Sequence, residues 1–187
     1  MQVETLDRRR LSERDAHAIA ELVVAIWPKP GRTVDMMASE MVTQWRSYRG
    51  PEEQHPRSFV VREGERVIAH ASFDPRIVAS GDDEITVLAL ARVCSDPAMR
   101  GRKLGQAVVK EAFKPVDEGA FPFSLFQTTD DVQPFYERLG AVRIHNRFIN
   151  SMAFDPKANP WWNPVIMRYT AGPGWPTGEI DLRGPGW

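Results

Sequence analysis

The chain has 187 residues, 42% hydrophobic and 26% charged, with a formal net charge of -1. That length suits one well-packed domain, the composition excludes a disordered or fibrous chain, and the near-neutral charge excludes a global pull toward nucleic acid or an anionic membrane. A single cysteine, Cys94, excludes an internal disulfide and a cysteine-rich metal site, and His17, His55, His70 and His145 show no ligand spacing, so no metal is inferred. The opening MQVETLDRRRLSERD lacks the apolar core of a signal peptide, and no window reaches transmembrane length. A cytoplasmic protein with no membrane partner is expected.

Ser12 and Asp15 mark a helix start, and Ala16, Ile19, Val23, Ile26 and Trp27 recur at helical spacing until Pro28. Thr33 caps a second predicted helix, in which Met37, Met41, Trp45 and Tyr48 share a core-facing stripe up to Gly50. From Ser58 the period changes to two. SFVVRE and RVIAHASFDPRIV read as strands joined at Gly64, the second bending near Asp74-Pro75, and EITVLALARVCS reads as a central strand buried on both faces. Leu104, Ala107, Val108 and Ala112 form the inner face of a third helix limited by Pro115 to about residues 101–114. A strand from Phe123 to Thr128, a short helix from Pro134 to Leu139 with Gly140 as C-cap, and strands at 141–152 and 164–170 complete the set. Four of the six tryptophans lie in the Pro/Gly-rich segment 153–187, which is expected to be irregular but packed.

The run MRGRKLG, residues 99–105, puts three cations and two glycines on a strand-to-helix turn. The first N–H groups of a helix have no intrahelical partner, the helix dipole adds partial positive charge, and glycines let a ligand approach the backbone. Arg100, Arg102 and Lys103 supply further charge, and a pyrophosphate suits such a turn. A solvated basic helix start is the alternative.

The run VCSDPAMRGRKLG resembles the acyl-CoA pyrophosphate loop of the GNAT superfamily of N-acyltransferases, [Q/R]-x-x-G-x-[G/A]. Arg100 and Gly105 match its ends, and Lys103 replaces its middle glycine. Downstream, TDDVQPFYERLGA resembles the family's FYEKLGF helix, and the likeness covers about residues 57–148. It implies one GNAT-like α/β (α+β) domain over residues 1–187: a mixed, mostly antiparallel twisted sheet with a splayed central strand and about four helices. It also implies acetyl-CoA as co-substrate. Val93, Cys94 and Ser95 would pair with the pantetheine, Arg100, Gly101, Arg102, Lys103, Leu104 and Gly105 would hold the pyrophosphate, and Thr129 would add to the cofactor site. Tyr136 would be the general acid, since a phenol with a pKa near ~10 can protonate a departing thiolate. Packing under a short helix is the alternative role for Tyr136.

In many relatives a glutamate on the central strand is the base; Ala91 stands there here, so the base is unassigned. His70 is one candidate, with a hydrogen-bonded core histidine as the alternative. Asp35 lies where the family places one acceptor wall, and it also suits a helix start. Cys94 reads as an inert buried residue rather than a nucleophile. The ending EIDLRGPGW resembles the C-terminus of aminoglycoside 2'-N-acetyltransferases, which would bring Asp181 and Trp187 to the acceptor, although a structural strap accounts for it as well. The expected reaction is acetyl transfer to a primary amine on a small molecule, without nucleic acid, with a homodimer as the assembly to test. A non-catalytic CoA-binding module and a protein-directed acetyltransferase are the alternatives.

Overall fold

The structure is a computed structural model and describes residues 2–187. Helix α1 (Glu13–Ile26) begins where Ser12 Oγ accepts the Asp15 N–H at 3.1 Å, and α2 (Val34–Thr43) where Thr33 Oγ1 accepts the Met36 N–H at 3.2 Å. Each cap satisfies a donor that the first helical turn leaves open. Strands β1 (Glu4–Asp7), β2 (Arg57–Glu63), β3 (Arg66–Ser80) and β4 (Asp83–Ser95) precede α3 (Leu104–Asp117). After it come β5 (Ser124–Thr128), α4 (Gln133–Glu137), β6 (Val142–Arg143), β7 (Phe148–Ile149), β8 (Val165–Tyr169) and β9 (Ile180–Asp181). Among the described residues these make a mixed, mostly antiparallel sheet with strand order β1-β2-β3-β4-β5-β8-β6, β9 pairing off this path with β3 and β7, and four α-helices.

The residues cluster into two compact units, one running up to Asp74 and including Ala91–Lys114, the other formed by Pro75–Leu90 and Pro115–Trp187. In the first, β1 and β3 flank β2, both antiparallel. Its core joins Ile19 and Val23 of α1 to Met37 and Met41 of α2, with Val60, Val67 and Cys94 from the strands. Arg8, fully buried, is tolerated because its guanidinium pairs with Asp74 and donates to Gln44 Oε1 at 3.0 Å.

In the second unit β5 pairs parallel with β4 and antiparallel with β8, and β6 lies antiparallel on β8. The parallel pairing is confined to Leu88–Ser124 and Ala89–Leu125. Val78, Val87, Leu125, Phe148, Trp161, Ile180 and Leu182 form this unit's core. Gln127 on β5 acts as a joint: its Oε1 accepts the Trp162 and Asn163 N–H groups at 3.1 and 2.8 Å, and its Nε2 donates to the Trp187 carbonyl at 2.8 Å.

Several elements depart from the sequence expectation. Strand β1 forms where the sequence pattern gives no strand, and β9 forms inside the segment read as irregular. Helix α2 stops at Thr43, whose hydroxyl donates back to the Ser39 and Glu40 carbonyls at 3.0 and 3.2 Å, and tight turns follow. Helix α3 continues through Pro115 to Asp117; a proline in the last turn removes only one helical hydrogen bond, and the buried Val116 anchors the end. The strand expected over 141–152 is two short ones, because Asn146 between them bonds the tail, donating to Pro176 O at 2.9 Å and Gly178 O at 2.7 Å and accepting the Trp175 indole N–H at 2.8 Å.

Candidate functional site

The basic turn leaves β4 at Ser95. Asp96 Oδ1 accepts the Ala98 N–H at 2.8 Å and its other oxygen pairs with Arg66, so this carboxylate shapes the descent into the turn. Gly101 has φ +81°, and a Cβ placed there would meet nothing within 4 Å, so the glycine answers a backbone requirement in open space. Lys103 has φ +56°, the left-handed region where the family pattern has glycine. The first helical bond of α3 runs from the Ala107 N–H to Lys103 O at 3.0 Å, which leaves the N–H groups of Leu104, Gly105 and Gln106 outside the helical ladder. Arg100, Gly101, Arg102 and Lys103 are exposed, while Leu104 is buried as the helix's first core residue. Among the described residues Arg100 and Lys103 form no ion pair, and Arg102 has only half-exposed Glu63 at 4.0 Å. Three cations and a helix N-terminus converge here, and among the described residues only Glu63, at 4.0 Å from Arg102, brings a carboxylate to them, an arrangement that favours an anion.

Upstream of the turn, Val93 and Ser95 are half-buried and Cys94 is buried on the core of the first unit, where burial pushes its thiol up to about 12. A thiol held neutral is no nucleophile at physiological pH. Arg92 has φ +52°, a left-handed kink inside β4. In the second unit, the Thr129 carbonyl accepts the Val132 and Gln133 N–H groups at 3.1 and 2.9 Å and so starts α4. Tyr136 on α4 is 6% exposed, its ring 4.6 Å from Phe126 and 4.9 Å from Phe135.

A model of the acetyltransferase (GNAT) domain matches residues 7–143, which covers the cap-marked helices, the basic turn and the α4 segment. The chain belongs to the GNAT acetyltransferase family. No curated protein sequence is similar enough to the chain to count as a relative. Solved GNAT-type structures share its fold and resemble it weakly in sequence. Escherichia coli ElaA is 17% identical with a TM-score of 0.56, covering 89% of this chain and 97% of that one. Glucosamine-6-phosphate N-acetyltransferase from Arabidopsis thaliana is 18% identical with a TM-score of 0.58, covering 83% of this chain and 100% of that one. A GNAT-family acetyltransferase from Staphylococcus aureus Mu50 is 11% identical with a TM-score of 0.58, covering 89% and 98%.

Within this GNAT frame the expected acceptor residues have definite surroundings. Asp35 is highly exposed, its carboxylate 3.4 Å from His17 Nε2. His70 is fully buried with Nδ1 2.8 Å from Arg92 O and Nε2 3.1 Å from Ser58 Oγ; with both nitrogens engaged in the core, it has none to offer an acceptor, which corrects its reading as a candidate base. Asp181 Oδ1 accepts the Ser151 and Arg183 N–H groups at 3.0 and 2.8 Å; burial raises its pKa, but these bonds outweigh it and hold the carboxyl below the usual aspartate range. Trp187 donates its indole N–H to Leu125 O at 3.0 Å, stands edge-on to Trp161 at 4.7 Å and lies under the Arg76 guanidinium at 4.9 Å. Asp181 and Trp187 thus fasten the tail. Two surface cavities of the second unit, ≈ 490 and ≈ 390 Å³, flank the segment around His145 and include none of the residues expected at the cofactor or acceptor site. Sequence reasoning missed Arg92, because an arginine inside an apolar strand gives no signal of a left-handed backbone. It also missed Ser58, the partner of His70. Among the described residues no helix is long and apolar enough to cross a membrane.

Proposed function

We propose that this GNAT chain is an acyl-CoA-dependent N-acetyltransferase that moves an acetyl group from acetyl-CoA to a primary amine on a small molecule, by direct attack in a ternary complex. The observation that carries the reading is the start of α3: open N–H groups, an uncrowded left-handed Gly101, and Arg100 and Lys103 without ion-pair partners among the described residues. The diphosphate of CoA is the substrate group that such a turn suits best. Val93, Cys94 and Ser95 offer backbone groups for the pantetheine, with Thr129 as a further cofactor contact. The confinement of β4–β5 pairing to two residue pairs supports this reading, since it leaves strand backbone unclaimed by that ladder.

The neutral amine attacks the thioester carbonyl, a backbone N–H near Val93 stabilises the oxyanion, and the C–S bond breaks as the amide C–N bond is completed. Tyr136 gives its proton to the leaving thiolate, and the proton lost by the amine passes to water, with no protein base assigned in place of Ala91. Glucosamine 6-phosphate, named for the Arabidopsis relative, is a small amine and fits this acceptor class.

Ala91, which stands where many relatives have the strand glutamate, favours the second reading, a CoA-binding module without catalysis. Calorimetric titration with acetyl-CoA and assay of free thiol release against a panel of small amines separate the two. Binding with acceptor-dependent thiol release is expected. Binding heat without thiol release for any amine leaves the binding module, and absence of binding removes both readings.

A further inference from the structure

Strand β4 turns left-handed at Arg92, φ +52°, immediately before Val93–Ser95. A non-glycine residue in that region is strained and persists only where its surroundings over-determine it. Two side chains of β3 supply that constraint. Ser72 Oγ donates to the Ala91 carbonyl at 3.2 Å, and His70 Nδ1 stands 2.8 Å from the Arg92 carbonyl. Consecutive β4 carbonyls are therefore held by side chains rather than by ladder N–H groups alone. Behind the ring, Nε2 meets Ser58 Oγ of β2 at 3.1 Å, and Ser58, His70 and Ser72 are all fully buried.

We propose that His70 is a positioning residue for the acyl-CoA edge of β4: its Nδ1–H grips the Arg92 carbonyl, Ser58 holds its Nε2, and the clamp fixes the kink that presents Val93–Ser95. This rests on the acyl-CoA reading given above. A carbonyl at Nδ1 requires a proton there, so Nε2 is bare and accepts from the Ser58 hydroxyl. The clamp does not switch off with pH. Burial above all, with the positive charges of Arg92 and Arg8, outweighs the pull of the Arg92 carbonyl and lowers the His70 pKa to about 3. Arg8 is itself paired with Asp74.

The test combines a spectroscopic readout that does not depend on function with acetyl-CoA affinity. In long-range proton–nitrogen NMR spectra, His70 is expected as the Nδ1–H tautomer, unchanged from pH 8 to pH 5; the Nε2–H tautomer would overturn the clamp. His70→Phe keeps a ring and removes the donor, and it is expected to weaken acetyl-CoA binding by about tenfold, because a buried carbonyl loses its partner. His70→Asn, whose amide can donate in place of Nδ1–H, should stay within about threefold of the parent protein. A purely structural His70 predicts a lower melting temperature with unchanged affinity in the folded fraction, and that result would sink the proposal. Should the Phe variant fail to fold, Ser58→Ala carries the test: affinity about threefold weaker with little change in melting temperature supports the clamp, and unchanged affinity overturns it. If the parent protein does not bind acetyl-CoA, the functional reading falls, while the tautomer still reports on the clamp.

Discussion

The basic turn at residues 100–103 and the end of the tail at residues 182–187 are both irregular and glycine-bearing, yet their polar groups are in opposite states. In the tail, the Gly186 N–H donates to Pro160 O at 3.2 Å and both the indole and carbonyl of Trp187 have partners on β5. A Cβ on Gly186 would lie 2.6 Å from the Trp161 ring, so that glycine is there because nothing larger fits. In the turn, Gly101 has open space around it, and Arg100 and Lys103 lack ion-pair partners among the described residues. A stretch whose groups are already satisfied holds a fold together; one whose groups remain open is where a ligand adds the missing partners.

Four variants break or sharpen this contrast. The largest effect is expected at Tyr136, whose ring packs among phenylalanines much as the tail tryptophans pack. If it nevertheless serves the chemistry, Tyr136→Phe lowers kcat by about 100-fold with acetyl-CoA affinity nearly intact, within the usual range for removing a general acid. Equal turnover in a steady-state assay would class Tyr136 with the packing aromatics. Next, Gly186→Ala overpacks the tail against Trp161 and Pro160 and should destabilise the protein by roughly 1–3 kcal/mol, measured by denaturant unfolding, with acetyl-CoA affinity retained. The turn behaves inversely: Arg100→Glu with Arg102→Glu should weaken acetyl-CoA binding more than about tenfold, increasingly at low salt, with the melting temperature nearly unchanged. Unchanged affinity there would remove the diphosphate assignment. The smallest effect is expected for Lys103→Gly, which relieves about 1 kcal/mol of left-handed strain and restores the family pattern. Its unfolding free energy should equal or exceed that of the parent, and a clear loss would show that the lysine side chain supports the turn.

The features legible in the sequence were those encoded locally. Ser12 and Thr33 cap the helices they were expected to cap, the alternation after Ser58 gives β2 and β3, and the two family signatures fall at α3 and α4. What escaped depends on residues far apart in the chain. The strand β1, ETLD, is polar and short and exists by pairing with β2, Glu4 opposite Val60. The break in the 141–152 strand comes from Asn146 bonding the tail some thirty residues on. For His70 the sequence leaves a base and a hydrogen-bonded core histidine both open, because its partners, Ser58 and Arg92, come from neighbouring strands that no periodicity places beside it. The aromatic texture of 153–187 suggested packed chain, and Trp161, Trp175 and Trp187 do pack in the second unit, whereas Trp162 stays exposed.

The joint made by Gln127 has a consequence for the shelf life of the protein. One amide accepts two N–H groups through its oxygen and donates to the Trp187 carbonyl through its nitrogen, so neither half can be spared. Deamidation to glutamate would retain the oxygen that receives Trp162 and Asn163 while turning a negative charge on the carbonyl it formerly held. A stored sample that ages at this single side chain would loosen at its C-terminus with its acyl-CoA turn chemically untouched.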